Sequence, residues 1–342
     1  MTTFHQEILE QPAALRELVD FYRRNDSRRL LSEIPRPERV LLTGMGASYH
    51  AGLYASYVLQ AVGIPAIAIE SANLIHFSSV LLTDFETIIF ISQSGASGEV
   101  MPLLNRIPKT GSLIALTNHP QSPLGIGARR VLPLIAGKET TVATKTYVNS
   151  LACLWLLAQV WSGVSIDIAL NTLLHLTASM EKLFARGQER SAKVWIDQLA
   201  QARQLLFLGH GPHAVTARQT AMMLGEWPKR LALSSGIGAF RHGIIEIVQS
   251  ETSAVVFGLD GATRESTWAL AAQMQEQGAR VLLVVDGDHY TTEEADAAKS
   301  AFGDFLAPLL DVIPAQFFAE ALALHENRTP GFRYISKVVT NL

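Results

Sequence analysis

Apolar runs of four to six residues alternate along the chain with segments whose apolar positions recur every three to four residues. That alternation predicts parallel strands wrapped by helices. Arg39 to Thr43 (RVLLT) stops at Gly44 and Gly46, the pattern of a buried strand entering a turn, and Ser48 through Val62 follows with helical spacing up to Gly63 and Pro65. Ala66 to Glu70, Thr87 to Ile91 and Ser112 to Leu116 read as further strands. The second half repeats the grammar. Gln204 to Leu208 (QLLFL) runs into Gly209-His210-Gly211, with a helix expected from Val215 to Glu226. Strands are expected at Ala254 to Gly258 and Arg280 to Val285, with a helix from Thr263 to Gln277 between them. The predicted fold class is α/β, two tandem doubly wound parallel-sheet modules flanked by helices. The first is placed at 1–165 and the second, with a C-terminal tail, at 166–342; residues 165–203 read as long helix.

The length of 342 residues suits two modules, each able to bury its own core. Lys and Arg total 28 against 31 Asp and Glu, a net charge of −3 without a long run of one sign, so no basic stripe exists for a phosphodiester backbone and nucleic acid is excluded as an expected partner. Cys153 stands alone, which rules out an intrachain disulfide and a cysteine-based zinc cluster and fits a reducing compartment. The N-terminus has no basic segment followed by an apolar run, so no signal peptide is expected and the expected location is cytoplasmic. Thr146 to Ile166 carries no charge, but Asn149, Ser150, Gln159 and Ser162 interrupt it. It reads as a buried core helix, and no membrane association is expected.

Candidate chemistry concentrates in Ser92-Gln93-Ser94-Gly95-Ala96-Ser97-Gly98, between an apolar strand and a helical run from Val100. Three hydroxyls, an amide and two glycines lie at a strand's carboxyl end and a helix's start, where backbone N–H groups and the positive helix end favour an anion and suit a phosphate monoester. Ser and Gly also gather in turns because they cap helices, so spacing alone leaves both readings open. Gly44-Met45-Gly46-Ala47-Ser48 is a second strand-to-helix loop, expected on the same sheet edge. There is no complete dinucleotide fingerprint and no Walker A lysine, and neither a cofactor nor a metal is expected.

With these residues goes a resemblance. Glu7-Ile8-Leu9-Glu10-Gln11-Pro12, Gly44 to Gly52, Ser92-Gln93-Ser94-Gly95, Leu116-Thr117-Asn118, Ala136-Gly137-Lys138-Glu139 with Val142-Ala143-Thr144-Lys145, Leu208-Gly209-His210-Gly211, His242-Gly243 and the tail Arg333 to Lys337 resemble the double sugar isomerase (SIS) domain family. The family includes the isomerase half of the glutamine:fructose-6-phosphate aminotransferases and the fructosamine-6-phosphate deglycases. The resemblance implies two SIS domains. It implies that Ser92, Gln93, Ser94 and Ser97 hold a sugar phosphate, while Gly46, Ser48, Val142, Ala143 and Thr144 line the sugar. It further implies Glu226, His242 and Lys337 as catalytic groups, sixteen residues separating the first two. Without it, these would be a helix-ending carboxylate, a loop histidine and a solvated tail lysine.

A 1,2-shift between aldose and ketose needs a base for the proton alpha to the carbonyl and an acid for the ring or leaving atom, roles a carboxylate and an imidazole can fill. By resemblance Lys337 matches a Schiff-base lysine. Ala47 stands where the family often has Thr, and Met223 where the aminotransferases carry a lysine. The sequence also shows no glutaminase domain or its nucleophilic cysteine, so ammonia from glutamine is not expected. The expected activity is thus that of a phosphosugar isomerase, deaminase or deglycase on an amino- or N-substituted ketose 6-phosphate. The alternative is a non-catalytic sugar-phosphate sensor. The resemblance also implies a homodimer in which His242 completes the neighbouring chain's site.

Overall fold

A computed structural model describes residues 1–108 and 111–340. The chain divides into two units, Glu10–Thr177 with Arg333–Leu342, and Met1–Leu9 with Ala178–Phe332. This differs from the expected 1–165 and 166–342 at both termini. The first helix, Thr3–Leu9, packs on the long helix Gly303–His325 of the second unit. There Phe4 lies 4.4 Å from the Trp227 ring and Thr2 Oγ1 donates to Glu320 at 2.7 Å. The tail from Arg333 instead joins the first unit, where Lys337 bonds Glu139 and the Val339 carbonyl accepts from Gly98 N.

The first unit is built on β1 (Val40–Gly44), β2 (Ala66–Glu70), β3 (Thr87–Ile91), β4 (Ser112–Thr117) and β5 (Arg130–Pro133), all parallel in the order β2-β1-β3-β4-β5. β1 and β3 are buried at every position, as central strands covered on both faces must be. That is why they read as unbroken apolar runs rather than alternating ones. Leu41, Ile88, Phe90 and Ala115 face helices carrying Leu74, Val100 and Leu103 in one core. The apolar helix Lys145–Trp161 is buried over nearly its whole length, as the sequence predicts for that stretch.

The second unit repeats the plan with β6 (Gln204–Gly209), β7 (Leu233–Gly236), β8 (Thr252–Phe257), β9 (Arg280–Val285) and β10 (Asp288–Tyr290), in the order β10-β9-β8-β6-β7. β6 to β9 are parallel, but β10 runs antiparallel to β9. Asp286 and Gly287, with φ of 52° and 81°, form the tight turn that reverses the chain there. No sequence signal had placed β5, β7 or β10. The single long helix expected over 165–203 is two, Ile166–Ala185 and Gln188–Leu199, broken at Gly187 with φ 85°. Gly303–His325 is long and apolar enough to cross a membrane by length and composition, but 89% of its apolar window is buried inside the protein, which makes it a core helix.

Candidate functional site

In the first sheet the strand order reverses between β1 and β3, so the loops after these two strands open at the switch point on the carboxyl edge. Gly44 must be glycine, because a Cβ there would meet the Ile91 carbonyl at 2.8 Å and the Ser48 backbone at 2.9 Å. Gly46 (φ 52°) then turns the chain into the helix Ala47–Ala61, leaving Gly46 and Ser48 half-buried at the edge.

Beside it, Gly95 (φ 61°) folds the serine loop back against Ser122 and Thr117. Gly95 N donates to Ser92 Oγ at 3.1 Å, and the Ser92 and Ser97 hydroxyls lie 3.2 Å apart. Ser97 Oγ donates to buried Glu99 at 2.7 Å, and Ser94 Oγ accepts from Ala96 N at 3.2 Å. Asn118 accepts from Ala136 N at 2.9 Å and donates to Gly137 O at 2.7 Å, while its own N–H reaches the Gln93 carbonyl at 3.1 Å. One residue, through its backbone on one side and its side chain on the other, thereby ties the serine loop to the segment leading to Val142.

Two details differ from the expectation. The helix after the serine loop, Val100–Leu104, has five residues and contributes little macrodipole, so an anion here would rest on hydroxyls and loop amides. Ser97 directs its proton to Glu99, so to donate to a phosphate it must turn away from that carboxylate.

Of the Val142-Ala143-Thr144 turn, Ala143 is half-buried, Val142 is buried, and Thr144 is fully buried with its hydroxyl on Glu139 at 2.9 Å. Glu139 serves as the cap of the helix Lys145–Trp161, accepting from Thr144 N at 2.9 Å, Thr146 N at 3.2 Å and Thr146 Oγ1. Lys337 Nζ donates to Glu139 Oε2 and to the Thr141 carbonyl, both at 2.7 Å. Burial alone would raise the Glu139 pKa, but the Lys337 ammonium and the threonine hydrogen bonds outweigh it and hold the carboxyl below its ordinary value. Two residues past Lys337, Val339 O accepts from Gly98 N at 3.0 Å. The tail therefore joins the serine loop and the Val142 turn, within about 7 Å of chain between its two anchors.

The second unit carries Glu226 and His242. Glu226 closes the helix Gly211–Glu226, followed by buried Trp227, and Lys229 (φ 58°) donates to the carbonyls of Glu226 and Gly331. His242 follows the helix Ile237–Arg241 and is exposed. Because β6 and β7 are parallel, the helix between them returns from the carboxyl edge to the amino edge. Arg230 accordingly reaches the carbonyl of Ala202, just before β6. On the other edge, Arg241 bonds Gln273 and the Ser266 carbonyl, and Ser266 Oγ meets His210 just after β6 at 3.0 Å. Glu226 and His242 thus belong to opposite edges of this sheet, with β7 running between them.

Sequence reasoning missed a further cluster. Where the second sheet's order reverses, between β6 and β8, no serine loop stands. His213 fills the position instead, 3.2 Å from Asp311 and 3.4 Å from Asp304, its ring against Gly258 (φ 78°) where a Cβ would clash at 2.2 Å. Burial opposes its charge, but hydrogen bonds and attraction from the two aspartates push its pKa up to about 9. Glu139 lies in a stretch that sequence reading quoted without a role. A Glu five residues before a Thr at an expected helix start was its available signal; His213 had none.

Compared with known proteins, residues 33–160 and 198–325 match the SIS domain. The chain is 26% identical over 336 residues to a glutamine–fructose-6-phosphate aminotransferase (isomerizing) of Geobacillus kaustophilus, covering 94% of this chain and 55% of that one. A Methanothermobacter thermautotrophicus protein of the same description is 26% identical over 342 residues, covering 98% and 57%. The chain thus spans about half the length of these relatives. Among solved structures, the C-terminal domain of the Francisella tularensis glucosamine-fructose-6-phosphate aminotransferase superposes with TM-score 0.82 at 19% identity, covering 96% and 98% of the two chains. Tagatose-6-phosphate ketose/aldose isomerase of Escherichia coli gives 0.78 at 21%, covering 98% and 96%. These likenesses establish the fold.

Proposed function

The chain belongs to the SIS domain family, and on that premise we propose that it is a phosphosugar-processing enzyme acting on an amino- or N-substituted ketose 6-phosphate, of the isomerase, deaminase or deglycase type. The observation that carries this reading is the hydroxyl- and amide-rich serine loop at the β1/β3 switch point, coupled through Gly98 to a tail that bears an ammonium. Hydroxyl and amide donors suit a phosphate monoester, whose charge at neutral pH lies between −1 and −2.

In this reading Ser92, Gln93, Ser94 and Ser97 bind the phosphate, and Gly46, Ser48, Val142, Ala143 and Thr144 bound the sugar. Lys337 presents its ammonium to the carbonyl end. Glu226 takes the proton alpha to the carbonyl, and His242 of the partner subunit protonates the ring oxygen or the departing nitrogen. The relatives are named for fructose 6-phosphate and tagatose 6-phosphate, which supports a 6-phosphorylated ketose as the substrate class. Met223, on the buried side of the helix that ends at Glu226, offers no amine, which favours removal of an amine over its transfer.

The test is a mass-spectrometric product screen of fructosamine 6-phosphates, glucosamine 6-phosphate and plain ketose 6-phosphates, with Glu226→Gln as control. Turnover of an amino substrate that the variant loses is expected. Saturable binding without turnover of any of them would replace the enzyme with a sugar-phosphate sensor.

A further inference from the structure

We propose that Glu139 is the positioning residue for Lys337: a capped, buried carboxylate that holds the tail's ammonium at a set place beside the Val142-Ala143-Thr144 turn. The inference rests on the reading of Lys337 as a site residue. A lysine outside any helix or strand ordinarily waves in solvent, with four side-chain torsions to order and nothing to repay their loss. Here its Nζ is held at 2.7 Å by a side chain with no solvent exposure and at 2.7 Å by a backbone carbonyl.

The carboxylate cannot follow the lysine if the tail moves. Four donors from Thr144 and Thr146, two backbone and two hydroxyl, fix it to the first turn of the helix Lys145–Trp161. Those residues adjoin the turn assigned to the sugar, so the height of the ammonium is referenced to the same backbone that would contact substrate. Withdrawal of Lys337 would also leave a buried carboxylate without its counter-charge, a costly state that draws the tail back. The neighbouring lysine does not compete, since Lys145 Nζ is turned to Glu10 and the Lys138 carbonyl. An ammonium has three donors, and Glu139 and Thr141 take two in a fixed fork. The third is thereby aimed, and it is the one that a substrate oxygen takes.

The experiment needs no substrate. Competitive acetylation with acetic anhydride at pH 8, read by peptide mass mapping, reports the reactivity of Lys337, with exposed Lys299 as internal reference. In the unaltered protein Lys337, held by Glu139 and the Thr141 carbonyl, is expected to label more slowly than Lys299. In Glu139→Gln its labelling should rise about tenfold, the release of one charge-assisted hydrogen bond, while Lys299 is unchanged; Thr146→Val, which keeps the carboxylate, should leave Lys337 slow. Equal labelling of Lys337 in Glu139→Gln and the unaltered protein overturns the proposal. If Glu139→Gln does not fold, the unaltered protein decides alone, since labelling of Lys337 as fast as that of Lys299 overturns it too. On a substrate found by the product screen, Glu139→Gln should lower kcat more than it raises KM, with Glu139→Asp recovering part. A failed screen leaves the labelling result standing, so the two readings fail separately.

Discussion

Glu226 and His242, sixteen residues apart in the chain, stand at opposite edges of the same parallel sheet. The helix Gly211–Glu226 carries the chain back from the carboxyl edge before β7 returns it, so the glutamate ends at the amino edge and the histidine loop begins at the carboxyl edge. A general base and a general acid acting on one small sugar must lie within hydrogen-bond reach of it. The proposal that His242 acts from the partner subunit answers to that placement.

Subunit mixing tests that. Glu226→Gln and His242→Ala homodimers should each be nearly inactive, and their heterodimers should regain up to half of a normal dimer's activity, because one of the two sites then holds both intact groups. Mass spectrometry of the mixed species would establish that heterodimers formed. Their continued inactivity would refute a shared site.

Glu226→Gln preserves size and hydrogen bonding but removes the base. Its kcat should fall by roughly 10²- to 10⁴-fold with KM little changed, and solvent deuterium should cease to enter the sugar at C1 or C2. Deuterium incorporation followed by NMR checks this, and near-normal exchange in the variant would move the role of base to another residue.

Ser94→Ala should raise KM for a phosphorylated sugar by about ten- to a hundredfold with kcat nearly retained, the loss of one hydrogen bond to a charged group that is equally strong in ground and transition states. The unphosphorylated sugar should show no such difference. Steady-state kinetics on the two sugars separate the phosphate contribution from general damage to the loop.

His213 should make stability depend on pH. Its pKa is raised in the folded protein to about 9, by Asp304 and Asp311 against the opposing cost of burial, from about 6.5 when unfolded. The folded state therefore binds more protons between these values, and this stabilisation is fully present below pH 6.5 and is lost as pH rises through 9. On the order of 3 kcal/mol is at stake. Urea unfolding at pH 6 and pH 9.5 should show the difference, and His213→Gln should remove it. An unchanged pH dependence in the variant would mean that other groups are responsible.

Much of the architecture was legible in the chain because buried parallel strands leave an unambiguous trace. β2, β3 and β9 fall on the expected residues, and β1, β4, β6 and β8 within two residues of them. β5 and β7, four residues each and partly exposed, carry no such run. β10 is three residues whose direction depends on the turn at Asp286-Gly287. The serine loop could be read as a strand-to-helix connection, since glycine and hydroxyl residues at that place have a local cause. The orientation of the Ser97 proton toward Glu99 has no local cause that spacing reveals.

Local order, then, came from short-range patterning: strand lengths, the glycines of the turns, the apolar core helices and the two-module plan follow from which side chains avoid water and which backbones can bend. The tertiary structure alone decided how distant segments exchange partners. It assigned the tail to the first unit and the first helix to the second, because Lys337 finds its counter-charge at Glu139 and Phe4 its packing at Trp227, 198 and 223 positions away in the chain. It joined His213 to Asp304 and Asp311, 91 and 98 positions further along the chain. Ion pairs and ring contacts act over a few ångströms of space whatever their separation along the chain, so no periodicity in the sequence records them.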